Sequence, residues 1–324
     1  MQTQAPAGGD VLASIWNSSD DDSTTFPQFT QKSSSLPFGQ PIEYSSISGP
    51  TYLTAQTLVQ QVAYALSDKI FSYSPESFDL DVAAKAWSAA NTENANGYTT
   101  EVAALQTRSG AGSFALGYMF SKDFDLAKRH IPQSLLASSS SLHNLRSALD
   151  QLSLLYSVAN PFIAHVAAVD YAPSAARGLV TDYATALTVA EELGLGLVSS
   201  SSPYEAQHMS LFSTILATVL PTIHIYDGVN VGRDTLRVID VLNQSGLDSA
   251  YKNVLKEVSK VSKRADAETK AAHVLDAFNN ELGTAYGLFE YRGSNAAETV
   301  LVVFGSVESS LAGQVSEKLA SEGT

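Results

Sequence analysis

Residues able to do chemistry are few in this chain, and they stand where apolar runs give way to turns. "IHIYDGVN" (223–230) ends on Asp227-Gly228. Ligands of open α/β sheets bind beyond the carboxyl ends of strands, which would place Asp227 well. Asp-Gly is also ordinary turn chemistry. "RSGAGSFALG" (108–117) offers Gly110 and Gly112 after a predicted strand. Such glycines can let a backbone approach a phosphate at a helix N-terminus. The third glycine falls too late for G-x-G-x-x-G, however, and no acid follows about 20 residues on. Close helix–sheet packing is the other reading. "SPYE" (202–205) reads as a capping box, with Ser202 as N-cap, Pro203 at N1 and Glu205 reaching back to the N-cap amide. That role suffices for Glu205; a catalytic carboxylate is the alternative.

Metal and thiol chemistry find little support. The six histidines (130, 143, 165, 208, 224 and 273) show neither HxxxH nor HExxH spacing, so no metal is expected. His165 alternates with apolar residues in "FIAHVAAV" and reads as a core or strand-end histidine; His208 and His224 have no partner that the sequence names. The absence of cysteine excludes disulfides, thiolate-bound zinc, iron–sulfur clusters and thiolate catalysis within the chain. It also favours a reducing compartment, and a cytoplasmic location is expected. A net charge of −14 disfavours nucleic acid as a partner. The basic cluster "KDFDLAKRH" (122–130) is interrupted by two aspartates and reads as a solvated face. No apolar run approaches the ~18–20 residues of a membrane span, so no membrane association is expected. The first residues show no signal-peptide pattern.

The elements that must position these residues follow from hydrophobic periodicity. Residues 1–50 are rich in Ser, Asp, Gln, Pro and Gly and read as a disordered lead-in. In "LTAQTLVQQVAYAL", Ala55, Leu58, Val59, Val62, Ala63 and Leu66 share one helical face. From there short apolar runs alternate with amphipathic helices, the pattern of a mostly parallel sheet with helices on both faces. Six strands are predicted, at 69–73, 101–106, 135–139, 162–169, 195–200 and 221–227. The Gly110 turn and Asp227 should then share the carboxyl-end edge. Residues 245–283 read as helical. "ETVLVVFGS" (298–306) reads as a strand followed by a helix. The expected organisation is a lead-in (1–50), a main α/β domain (51–294) and the first β-α unit of a second, truncated domain (295–324).

Several blocks carry a family resemblance. "VQQVAYALSDKIFSYSP", "ALQTRSGAG", "FIAHVAA", "GLVSSSSPYEAQHMSL" and "LPTIHIYDGVNVGRDTLRVIDVL" resemble, in order, the pyrimidine-binding domain of pyruvate:ferredoxin oxidoreductases. The resemblance spans about residues 55–245, with 197–242 its most specific part. It implies a thiamine-diphosphate fold, with Ser74, Gly110, Val169, Glu205 and Asp227 at degenerate site positions. The family's thiamine-activating glutamate falls at Gly110, and its substrate-binding arginine at Val169. The family's threonine before the early proline becomes Ser74, and an arginine after the DG pair falls near Asn230. A charge-assisted hydrogen bond is worth roughly 1.5–3 kcal/mol. Losing that glutamate together with the arginine argues against 2-oxoacid cleavage.

"FEYRGSNAAETVLVVFGSVESSL" (289–311), with "RSGAGSFALGY", "VTDYATAL" and "IHIYDGVN", resembles the N-terminal region of the flavoprotein component of fungal-type NADPH-dependent assimilatory sulfite reductases. The resemblance implies a non-catalytic scaffold module that assembles with a haem-bearing subunit. No cofactor is expected in this chain; FAD and NADPH are expected in downstream modules. The alternative is a working thiamine-dependent 2-oxoacid oxidoreductase subunit.

Overall fold

The computed structural model describes residues 42–322 apart from 76–77, 108–109, 111, 123, 157–159, 173–177 and 263. Most of the expected lead-in, together with Ser109 and Ala111 of the glycine turn, lies outside the described residues.

Six parallel strands form the central sheet: β2 (Lys69–Tyr73), β3 (Glu101–Ala104), β4 (Gln133–Ser138), β5 (Phe162–Ala168), β8 (Gly196–Ser200) and β9 (Thr222–Asp227). Their order is β3-β2-β4-β5-β9-β8. These are the six predicted strands, within two residues at each end. Every residue of β4, β5 and β9 is buried, as a strand covered on both faces requires. One face carries α1 (Ala55–Leu66) and α6 (Pro203–Leu216), backed by α7 (Gln244–Val258) and α8 (Ala267–Leu282). The other carries α3 (Ser113–Met119), α4 (Ser139–Leu154) and α5 (Ala184–Leu193).

All twelve residues of α1 are buried, although its sequence shows only one apolar stripe. The reason is that helices surround it: α2 (Val82–Ala89), its neighbour α6 and α7 all pack on α1. Its glutamines are therefore interior and need internal partners. Gln60 Oε1 accepts from Ala84 N at 3.0 Å, and Gln61 Nε2 donates to the Leu242 carbonyl at 2.9 Å. Gln207 of α6 donates to Gln61 Oε1 at 2.6 Å and accepts from Leu242 N.

The basic cluster is only partly a solvated face. Lys128 reaches inward to Asp68, whose carboxylate is buried and takes four donors. Lys128 Nζ (2.7 Å) and Tyr98 Oη (3.2 Å) donate to Oδ1; Tyr118 Oη (2.8 Å) and Gln133 Nε2 (3.1 Å) donate to Oδ2. Burial pushes the Asp68 pKa up, and this is outweighed by Lys128, Tyr118 and Gln133, leaving it below the ordinary value.

Two stretches differ from expectation. Residues 44–50, placed by composition in the lead-in, belong to the body. Tyr44 and Ile47 are buried, and Tyr44 packs edge-on against Trp87. β1 (Gly49–Leu53) pairs antiparallel with β10 (Leu236–Val241), a small sheet that periodicity did not announce. Composition misled here because few apolar residues do the anchoring. The apolar run 299–304 is not a strand: no described strand pairs with it, and a strand needs a partner for its ladder bonds. The following helix, α9 (Ser306–Glu322), does form. The remaining pair, β6 (Asp170–Tyr171) with β7 (Leu179–Val180), lies beyond β5.

Candidate functional site

Because the six strands are parallel, their carboxyl ends share one edge, and the switch-point rule directs attention there. Ser74 follows β2, Val169 follows β5, Asp227 ends β9, Ser201 follows β8, and Glu205 lies in the first turn of α6. Gly110 follows β3 at the same edge. Its strand, β3, stands four strand steps from β9, roughly 19 Å at about 4.8 Å per step. The chain after β3 comes back onto α4, where Asn144 Nδ2 donates to the Thr107 carbonyl at 2.8 Å.

Asp227 is 1% exposed, and its carboxylate is consumed within the chain. Oδ1 accepts from Val229 N and Asn230 N, both at 2.8 Å, which is Asx-turn chemistry. Oδ2 accepts from Asn230 Nδ2 at 3.2 Å and from Ser306 Oγ of α9. The loop is pinned further by Arg233, whose Nε donates to Gly228 O (2.9 Å) and Nη2 to Phe78 O (3.0 Å). Ala55 N and Gln56 N at the start of α1 donate to the carbonyls of Val231 and Gly232. Gly232 is obligatory, since a Cβ there would fall 2.1 Å from the Asp227 carbonyl oxygen.

Val169 is fully buried. It packs on the β9 turn, where a Cβ on Gly228 would fall 3.0 Å from Val169 Cβ and 2.9 Å from Ala167 Cβ. Ser74 Oγ accepts from Leu80 N at 3.2 Å and donates to the Pro75 carbonyl at 3.0 Å, closing its own loop. Half of the expected capping box forms: Ser202 Oγ accepts from Glu205 N at 3.2 Å. Glu205 Oε2 reaches one residue further back than expected, accepting from Ser201 N (2.8 Å) and Ser201 Oγ (2.6 Å). The two turn glycines have different reasons. Gly110 has φ +85° with open space around it. Gly112 would place a Cβ 2.6 Å from Ala148 Cβ, so the close approach is to helix α4 and not to the sheet.

His165 and His224 lie opposite each other on β5 and β9, with Nδ1 atoms 3.2 Å apart. Ser200 Oγ sits 3.1 Å from His224 Nε2, and Ser210 Oγ 3.2 Å from His224 Nδ1. His165 Nε2 is buried without a partner. Burial lowers the His165 pKa to about 3; burial and then His165 hold His224 well below the ordinary value. His208 pairs with Tyr286 Oη at 2.9 Å, and burial lowers it to about 4. These are neutral interior imidazoles. Among the described residues no group of three or more His, Asp or Glu could hold a metal.

The five site positions do not fit a thiamine-type cofactor. Gly110 carries no side chain to bind one, and Val169 is buried in the core. The Asp227 and Ser74 side chains are spent on their own loops, and Glu205 holds Ser201. Sequence reasoning missed Ser306, Tyr183, Arg233 and Gly232 at this edge. The "DGVNVGRD" spacing was the one available signal for the last two.

No family model matches the chain. Curated relatives do. The sulfite reductase (NADPH) flavoprotein component of Saccharomyces cerevisiae is 28% identical over 284 residues, 85% of this chain and 25% of that protein. A protein of Schizosaccharomyces pombe named as a probable component of the same kind is 29% identical over 251 residues, 78% of this chain and 24% of that one. The chain is similar to sulfite reductase flavoprotein components. It spans about a quarter of their length. The pyruvate:ferredoxin oxidoreductase of Moorella thermoacetica is 24% identical over 289 residues, covering 78% of this chain and 23% of that protein. No helix among the described residues is long and apolar enough to cross a membrane.

Proposed function

We propose that this chain is a non-catalytic module of an NADPH-dependent sulfite reductase flavoprotein component, acting in the cytoplasm in the reduction of sulfite to sulfide. Its role is to assemble with the redox-active parts of that enzyme and with a haem-bearing subunit. FAD and NADPH bind outside residues 1–324, and nucleic acid and membranes are not partners. Similarity to the two yeast components supports the family reading. The observation that carries the non-catalytic reading is Val169, a buried residue packed against Gly228 where an oxoacid-binding arginine would have to stand. Gly110, with no carboxylate, supports it independently. Residues 295–324 are proposed to open a further α/β unit, since Leu301 and Val302 are 84% and 88% exposed.

Co-purification of the tagged chain with a haem-bearing sulfite reductase subunit tests the assembly role. A stable complex is expected; no association at micromolar concentrations contradicts it. The second reading, a thiamine-dependent 2-oxoacid oxidoreductase subunit, draws on the similarity to pyruvate oxidoreductases such as that of Moorella and requires a cofactor site that Gly110 and Val169 do not supply.

A further inference from the structure

The carboxyl-end edge is closed by a segment from far along the chain. Ser306, the first residue of α9, donates from Oγ to Asp227 Oδ2 and from its backbone N to Tyr183 Oη at 3.3 Å. Phe304 packs edge-on against the Tyr183 ring, centroids 5.4 Å apart. Between them Gly305 has φ +121°, and a Cβ there would fall 2.4 Å from Glu308 Oε2 and 3.0 Å from Tyr183 Cε2. Three consecutive residues are thus fitted onto Asp227 and Tyr183, and Ser306 itself is 3% exposed.

On either side the attachment thins, and α9 is tied to the preceding segment, where Ser316 Oγ donates to the Arg292 carbonyl at 2.9 Å. Leu301 and Val302 before it stand in solvent, as do Val307, Leu311 and Val315 after it. The segment is therefore held to the sheet's edge by Phe304, which packs against the core cluster beside Tyr183, and by two hydrogen bonds from Ser306. Its release requires no strand of the sheet to separate. Contacts so few and so local belong to the low-stability end of a native structure, where opening occurs without global unfolding.

We propose that residues 304–306 are an intrachain strap that seals Asp227 at the carboxyl-end edge, and that the strap opens locally while the sheet stays intact. Asp227 is then reachable only in the open form. The inference rests on these contacts and is independent of the family reading.

The test is carboxylate labelling of the intact chain with a water-soluble carbodiimide and glycine ethyl ester, read by mass spectrometry, alongside amide exchange of β5 and β9. Asp227 is expected to label at least about tenfold more slowly than the exposed Glu298, as a group behind a local opening does. Phe304→Ala and Ser306→Ala are each expected to raise Asp227 labelling at least about fivefold, with β5 and β9 exchange unchanged. Phe304 is half-buried and packs against the core cluster, so Ser306→Ala, which removes no apolar contact, separates loss of the strap from loss of packing. Asp227 labelling as fast as Glu298 in the unaltered chain overturns the seal. Unchanged labelling in both variants shows that the strap does not guard Asp227. Labelling that rises together with β5 and β9 exchange shows that 304–306 belong to the core and do not open separately.

Discussion

Val169 and Gly228 fit each other so closely at the end of β5 and β9 that one added carbon would have no room: a Gly228 Cβ would fall 3.0 Å from Val169 Cβ. Overpacking of an interior site costs about 1–3 kcal/mol. Gly228→Ala should therefore lower stability by that amount, read as a lower denaturant midpoint with an unchanged slope. Val169→Arg should be far worse, because it buries a charge without a partner. A folded, unperturbed Val169→Arg protein would mean that the position can still open to solvent.

Acid should weaken the protein through its neutral histidines. The folded pKa values of His165 (about 3), His208 (about 4) and His224 (direction down) lie below the ordinary value near 6.5. Below pH 6.5 the unfolded chain binds protons that the folded chain refuses, so stability falls as pH falls. The contribution is complete above about pH 6.5 and is lost progressively toward pH 3–4, at up to about 1.4 kcal/mol per pH unit for each histidine. Chemical denaturation at pH 7.5, 6 and 5 checks this. Equal midpoints at the three values would contradict it, and His208→Phe should remove about one proton's worth of slope.

Asp68 holds together Lys128, Tyr98, Tyr118 and Gln133 at the amino end of β2. Removing one partner of a buried ion pair costs about 3–5 kcal/mol, because the others are left unpaired. Lys128 is one-third exposed and can turn to water, which places Asp68→Ala at the lower end. A fall in melting temperature of several degrees is expected. A change below about 1 °C would mean that the cluster contributes nothing net.

Much of the fold was legible because parallel strands buried on both faces announce themselves as short apolar runs, and β5 "FIAHVAA" and β9 "TIHIYD" did. The run at 299–304 has the same composition and is not a strand, since composition does not specify a neighbour. β1 and β10 were missed because they form a half-exposed pair whose partner lies some 190 residues away, which no local period encodes. At the site, the glycine turn at Gly110 and the Asp227-Gly228 strand end stood out in the sequence. The Asp227–Ser306 contact did not, because it joins two segments 79 residues apart through two common side chains.

The most direct measure of the central claim is isothermal titration of the chain with thiamine diphosphate and Mg²⁺. With no carboxylate at Gly110 and Val169 packed in the core, no binding is expected up to about millimolar cofactor, about −4 kcal/mol. Saturable binding at micromolar concentrations, about −8 kcal/mol, would contradict the account and restore a working thiamine site.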